Sequence, residues 1–110
     1  MNQTPAKGDA MEITLTGKHM DITEAIEQHA NEKAGKLSRY YDRLAKLEIV
    51  INKASDGRAY DVEFIAHVDG QDHLIAHATD EDLYHGIEQT VQKMERQLTD
   101  LKEKLRSHKY

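Results

Sequence analysis

Residues 60–80 of this 110-residue chain, YDVEFIAHVDGQDHLIAHATD, contain the pattern that decides the fold. Apolar and polar side chains alternate on both sides of Asp69-Gly70, a dipeptide that favours tight turns. Such alternation predicts two β-strands that each bury one face. A loop over residues 70–72 places both apolar faces on the same side of the resulting hairpin. The predicted apolar face consists of Tyr60, Val62, Phe64, Ala66, Val68, Leu74, Ala76 and Ala78.

The segment that precedes this hairpin predicts two further strands and a helix. Apolar residues alternate over residues 11–16 and again over residues 47–51. Between these strands, a helix of about five turns is predicted from an N-cap at Thr23 through Leu44. Its apolar residues recur every three to four positions: Ile26, Ala30, Ala34, Leu37, Tyr41 and Leu44. Gly35 lies inside this helix at a cost of about 1 kcal/mol relative to Ala, so we expect a close packing contact there.

A second helix is predicted after the hairpin, with Asp80 as its cap. Its apolar residues have helical spacing: Leu83, Ile87, Val91, Met94, Leu98, Leu101 and Leu105. The predicted order is therefore β-α-β-β-β-α. This order gives an α+β two-layer sandwich, in which two helices cover one face of a four-stranded sheet. Residues 1–10 are expected to form a flexible lead, and residues 11–110 a single domain.

Composition excludes several classes of protein. The chain has no Cys, which excludes disulfides and thiolate zinc sites and suits a reducing cytoplasm. No apolar run resembles a signal peptide or a membrane span, so we expect a cytoplasmic protein. The sequence contains no glycine-rich phosphate loop and no nucleophile motif, and acidic pairs such as Asp61 and Glu63 lie on a polar strand face. An enzyme and a bound cofactor are therefore not expected.

Charge is distributed very unevenly along the chain, whose net charge is −5. Residues 33–46 contain five basic residues and one acidic residue, and residues 93–109 contain six basic and three acidic residues. Residues 61–88, between them, contain eight acidic residues and neither Lys nor Arg. On helical wheels the basic residues form stripes beside the apolar stripes: Lys33, Lys36, Arg39, Arg43 and Lys46, then Lys93, Arg96 and Lys104. If these stripes meet in space, they form a surface suited to a polyanion.

Three segments resemble the ribosome hibernation factors, which comprise the hibernation promoting factor and the ribosome-associated inhibitor. The segments are ITLTGKHMDITEAIEQH, EKAGKLSRYYDR and EDLYHGIEQTVQKMERQLTDLKEKLRSHK, and the resemblance covers residues 11–109. It implies a fold similar to the double-stranded RNA-binding domain. It also implies a monomer that binds the small ribosomal subunit and its ribosomal RNA. There it would occupy the channel for mRNA and tRNA, and thereby inhibit translation and preserve inactive ribosomes in stationary phase or stress.

The resemblance also implies which residues contact RNA. Lys33 and Lys36 match the two lysines of a K-x-x-K-L motif, and Arg39 and Arg43 extend that stripe. Basic positions of the family's last helix correspond to Lys93, Arg96, Lys102 and Lys104. The chain ends soon after this helix, as in the short promoting type, which acts with a separate ribosome modulation factor. KHMDITEAIEQH is closer to the inhibitor, so the subtype stays open.

Two other functions compete with ribosome binding. His67, His73 and His77, with Glu63, lie near one another on the exposed sheet face if His67 is diagonal to the other two, so they could bind a metal ion or respond to pH. Alternatively, the basic stripes could bind any double-stranded RNA. Tyr40 lies between the core and the first basic stripe, where it could stack on an unpaired base or cover the edge of the core.

Overall fold

The computed structural model describes residues 11–107 and has the predicted order of elements. The strands are β1 (Glu12–Lys18), β2 (Leu44–Lys53), β3 (Tyr60–Val68) and β4 (Leu74–Asp80), and the helices are α1 (Glu24–Ala34) and α2 (Leu83–Ser107). A 3₁₀ helix, Gly35–Arg39, continues α1 directly. The expected flexible lead, residues 1–10, lies outside the described residues.

The four strands form one sheet in the order β1-β2-β3-β4. β1 runs parallel to β2, whereas the β2–β3 and β3–β4 pairs are antiparallel. The single parallel pair follows from connectivity, because α1 carries the chain from the end of β1 back to the start of β2. The predicted α+β sandwich is therefore confirmed.

The hairpin between β3 and β4 places both apolar faces on the same side, as predicted. Phe64 pairs with Ala76, and Gly70 adopts the positive φ of 76° that this turn requires. The pairing is two residues away from the expected register, however, because the turn is tighter than the predicted loop. His67 therefore faces His73 directly instead of diagonally, and their ring centroids are 3.9 Å apart.

One continuous core fills the space between the sheet and the helices. Its fully buried members include Leu47, Ile49, Ile51, Val62 and Phe64 from the sheet, and Ala30, Leu37, Ile87, Met94 and Leu98 from the helical layer. These residues belong to the apolar sets predicted from periodicity. Across residues 11–107, no helix combines the length and apolarity that crossing a membrane requires.

The first helix is much shorter than the predicted five turns. Thr23 caps it as expected, because its Oγ1 accepts a hydrogen bond from the Ile26 amide at 3.2 Å. The α-helical geometry nevertheless ends at Ala34, and Leu44 already belongs to β2. No atom beyond its neighbours lies within 4 Å of a Cβ built on Gly35, so the expected packing contact there is wrong. Gly35 instead marks the change from α-helix to 3₁₀ helix.

The N-terminus of α2 is capped by Asp82, and the prediction of Asp80 is wrong by two residues. Asp82 Oδ1 accepts hydrogen bonds from the amides of Tyr84 at 3.0 Å and His85 at 3.3 Å. Asp80 instead accepts from the Asp82 amide at 2.8 Å, and its Oδ2 lies 2.8 Å from His85 Nδ1. Two aspartates therefore cooperate in the turn that starts the helix.

The contact between His85 and Asp80 predicts a pH-dependent ion pair. Hydrogen bonding and charge attraction from Asp80 raise the pKa of His85 above 6.5. The Asp82 amide, followed by His85, lowers the pKa of Asp80 below 3.8. His85 contributes stability below pH 6.5 and loses it as the pH rises through its raised pKa, whereas Asp80 contributes above pH 3.8 and loses it on acidification. Between pH 3.8 and pH 6.5, both His85 and Asp80 therefore contribute to the stability of the fold.

We expect Asp80→Asn to lower the pKa of His85 towards 6.5, because the substitution removes the carboxylate charge. Proton NMR titration of the imidazole resonances measures this shift. The wild-type protein, titrated under the same conditions, is the reference for the His85 resonance. An unchanged pKa of His85 in the variant would contradict the pairing.

Candidate nucleic-acid interface

Three of the predicted RNA-contacting residues lie along the end of α1 and the 3₁₀ helix. Lys33 is half-buried in the last turn of α1, whereas Lys36 and Arg39 are exposed in the 3₁₀ helix. Side chains three residues apart are aligned in a 3₁₀ helix, so Lys36 and Arg39 project from the same side. Leu37, between them, points to a different side of the 3₁₀ helix, where it is fully buried and anchors the segment to the core.

Arg43 and Lys46 do not continue the helical stripe as predicted. Arg43 is exposed in the turn before β2, and its carbonyl accepts a hydrogen bond from the Asp69 amide at 3.1 Å. Lys46 lies in β2 opposite Glu12 and His67, with the polar side chains of the sheet. The helical-wheel prediction is wrong for these two residues because α-helical geometry ends at Ala34. Beyond Gly35 the chain no longer repeats every 3.6 residues.

The exposed basic residues of α2 lie on two sides of that helix. By helical periodicity, Lys104 lies three turns below Lys93 on the same side, whereas Lys102 points the opposite way. Lys93 Nζ donates to the His77 carbonyl at 2.7 Å, so its side of α2 faces the edge strand β4. Arg96 and Lys93 line an open depression of about 300 Å³ together with Gln89 and Gln92. This side combines positive charge with polar hydrogen-bonding groups.

Gln97 has a structural role that the sequence did not reveal. Its Nε2 donates to the Ile75 carbonyl at 2.7 Å, one turn of α2 beyond the bond between Lys93 and β4. These two side chains satisfy carbonyls of an edge strand, which would otherwise be available for pairing with another strand.

The two basic segments of the sequence meet at Tyr40. Lys102 Nζ, from α2, donates to the Tyr40 carbonyl at 3.1 Å. Lys36, Arg39 and Arg43 all lie within four residues of Tyr40 in the chain. We call the set of Lys36, Arg39, Arg43 and Lys102 the junction cluster. The two basic segments therefore come together at this end of the helical layer through Lys102, whereas Lys93 of the predicted second stripe faces β4.

An acidic side chain of α2 lies beside the first basic segment. Glu88 Oε2 lies 3.9 Å from Lys33 Nζ and 3.5 Å from His29 Nε2. His29 also packs its ring edge-on against Tyr84, with centroids 4.7 Å apart. Glu88 thus partly neutralises Lys33, the least exposed of the predicted contact residues. In the sequence, Glu88 stands out only as the last residue of the acidic segment 61–88.

The exposed sheet face carries the histidines of the alternative metal-site hypothesis. His67 Nε2 contacts Glu48 Oε2, and this hydrogen bond is the main reason that the pKa of Glu48 is lowered. His77, on the next strand β4, pairs with Glu63 of β3 and does not take part in that contact. Within residues 11–107, no group of three or more His, Asp or Glu side chains is arranged to hold a metal ion. The structure therefore does not support the proposed ligand set.

Comparison with known proteins assigns the family. A family model described as sigma 54 modulation protein / S30EA ribosomal protein matches residues 13–106. Ribosome-associated factor Y of Haemophilus influenzae is 33% identical over 99 residues, which cover 90% of each chain. The ribosome hibernation promoting factor of Escherichia coli K12 is 33% identical over 98 residues, 89% of this chain and 100% of the relative.

A solved structure agrees with these sequence matches. The crystal structure of the N-terminal domain of Thermus thermophilus Protein Y superposes with a TM-score of 0.73 at 28% identity. The match covers 83% of this chain and 99% of that domain. The chain therefore belongs to the sigma 54 modulation protein / S30EA ribosomal protein family, which includes the ribosome hibernation promoting factors.

Proposed function

We propose that this protein is a ribosome hibernation factor that binds the small ribosomal subunit through the helical layer. The observation that carries the proposal is the meeting of two basic segments at Tyr40, in a chain with a net charge of −5. Positive charge concentrated on one surface attracts a polyanion, and membership of a ribosomal-protein family supports ribosomal RNA as that polyanion. Contacts from Lys and Arg to phosphates position a protein without selecting sequence.

The proposed mechanism is inhibition by occupancy, without catalysis. The protein lies in the channel for mRNA and tRNA, so those ligands cannot enter while it is bound. It acts in the cytoplasm as a monomer, in stationary phase or stress, with a ribosome modulation factor as a second partner in the assembly of ribosome dimers. The acidic residues that segment 61–88 carries on β3 and β4, such as Asp61 and Glu63, repel phosphate and so disfavour RNA binding at the sheet.

A co-sedimentation experiment with three targets tests the proposal. Purified protein is mixed with small subunits, large subunits or a generic RNA duplex at two salt concentrations. We expect stoichiometric binding to small subunits that weakens as salt rises, because phosphate contacts release counterions. Absence of binding to small subunits at low salt would overturn the proposal. Equal binding to the duplex would favour a general double-stranded RNA binder instead.

Removing the charge of Glu88 is expected to strengthen binding. In Glu88→Gln the carboxylate no longer competes with RNA phosphates for Lys33, which lies 3.9 Å away. An exposed ion pair contributes little energy, so the gain should be about two- to fivefold in affinity for small subunits. Glu12→Gln, an equal change of charge at an exposed position of β1 in the sheet, is the matched control. Weaker binding by Glu88→Gln would show that Glu88 orients Lys33 for contact.

A further inference from the structure

Tyr40 presents an aromatic ring to solvent, and its backbone contacts Lys102 of the junction cluster. Its side chain is 38% exposed, whereas the adjacent Tyr41 is buried in the core. The neighbouring Arg39 belongs to the 3₁₀ helix, and Arg43 follows in the next turn. An exposed ring carried on a basic segment is the combination that proteins use to hold an unpaired nucleobase, since the base stacks while its phosphates meet the cations.

The backbone at Tyr40 is held at two points. Its amide donates to the Leu37 carbonyl at 3.0 Å, and its carbonyl accepts from Lys102 Nζ at 3.1 Å. Tyr41 anchors the next residue in the core. A ring carried on a fixed backbone loses little conformational entropy when it binds, because only its two side-chain torsions must be ordered.

A second tyrosine provides an internal comparison. Tyr84 is 39% exposed on α2, so the two rings offer similar areas to solvent. Tyr84 contacts His29, however, and lies in the acidic segment between Asp82 and Glu88. Negative charge there repels the phosphates that flank a base, whereas the junction cluster attracts them. Exposure alone therefore does not distinguish the two positions, but charge does.

We propose that Tyr40 is a stacking site for an unpaired nucleobase of RNA, flanked by the phosphate-binding cations of the junction cluster. This inference rests on the proposed function and adds to it the kind of RNA that is bound. Bases within a duplex are already stacked on each other, so their faces are unavailable to Tyr40. The site thus favours single-stranded or looped RNA over continuous duplex.

Tryptophan fluorescence tests the stacking directly, because the chain has no natural Trp. In Tyr40→Trp the new indole is the only one in the chain, and stacking on a base quenches it; the complex of subunits with wild-type protein supplies the background from ribosomal proteins. Tyr84→Trp is the matched control. On binding of small subunits we expect strong quenching at position 40 and little at position 84. Bound subunits without quenching at position 40 would overturn the stacking site and leave ribosome binding intact.

Affinity measurements complete the test. Tyr40→Phe should bind small subunits as the wild type does, whereas Tyr40→Ala should bind about tenfold more weakly, in line with the loss of one base–aromatic stack. A single-stranded oligonucleotide should quench Tyr40→Trp more than a duplex of the same sequence. Equal affinity of Tyr40→Ala and wild type, or equal quenching by duplex, would overturn the proposal. If the wild type itself fails to bind small subunits, the proposed function fails first.

Discussion

Replacing both Lys36 and Arg39 by Glu is expected to reduce the affinity for small ribosomal subunits at least about a hundredfold. The double substitution changes the local charge by four at the centre of the proposed interface. Both side chains are exposed and aligned on one side of the 3₁₀ helix, so they meet the same stretch of RNA backbone. The slope of log affinity against log salt should fall by about two, because two phosphate contacts disappear.

The matched control for this variant carries the same net charge in another place. Lys18 and Arg58 are exposed at the end of β1 and in the loop between β2 and β3. Lys18→Glu combined with Arg58→Glu should leave the affinity within a few-fold of wild type, since only the long-range charge changes. Equal losses in the two double variants would mean that net charge controls binding, and not the surface around Tyr40.

Replacing Phe64 by Ala is expected to produce the largest loss of stability. Phe64 is fully buried in β3, where it pairs with Ile49 on one side and Ala76 on the other. Deleting a buried aromatic ring typically lowers the free energy of unfolding by about 3–5 kcal/mol, because burial is lost and a cavity remains. Urea denaturation followed by circular dichroism measures this difference.

Ile75→Ala provides the control for the stability measurement. Ile75 lies on the neighbouring strand but is 53% exposed, so its truncation should cost within about 1 kcal/mol. A loss below about 1 kcal/mol for Phe64→Ala would show that the layer between sheet and helices is not packed around this ring.

The strands and the second helix were predictable because each has a single, uninterrupted periodicity. The alternation around Phe64 identifies β3, and the spacing from Leu83 to Leu105 identifies α2. The first helix was not predictable in length. Leu37, Tyr41 and Leu44 are spaced as in an α-helix. All three are buried, yet Leu37 lies in a 3₁₀ helix, Tyr41 in the connection that follows it and Leu44 in β2. Periodicity therefore determines burial more reliably than it determines backbone geometry.

The candidate site was only partly predictable, because contacts between distant segments depend on register and packing. The sequence identifies the basic residues. In the structure, all eight predicted RNA-contacting residues lie on or beside the helical layer. Their partners come from elsewhere in the chain, as when Lys102 reaches Tyr40 and Glu88 reaches Lys33. No local pattern encodes such pairs. The tighter hairpin likewise moved His67 opposite His73, which altered the expected histidine arrangement.

The central claim is that the protein excludes mRNA and tRNA by occupying their channel. Co-sedimentation with isolated small subunits, with and without mRNA plus initiator tRNA, tests it most directly. The occupancy mechanism predicts stoichiometric binding that salt weakens and that these two ligands displace together. Binding that is unaffected by saturating mRNA and initiator tRNA would contradict it, because the protein would then bind outside the channel.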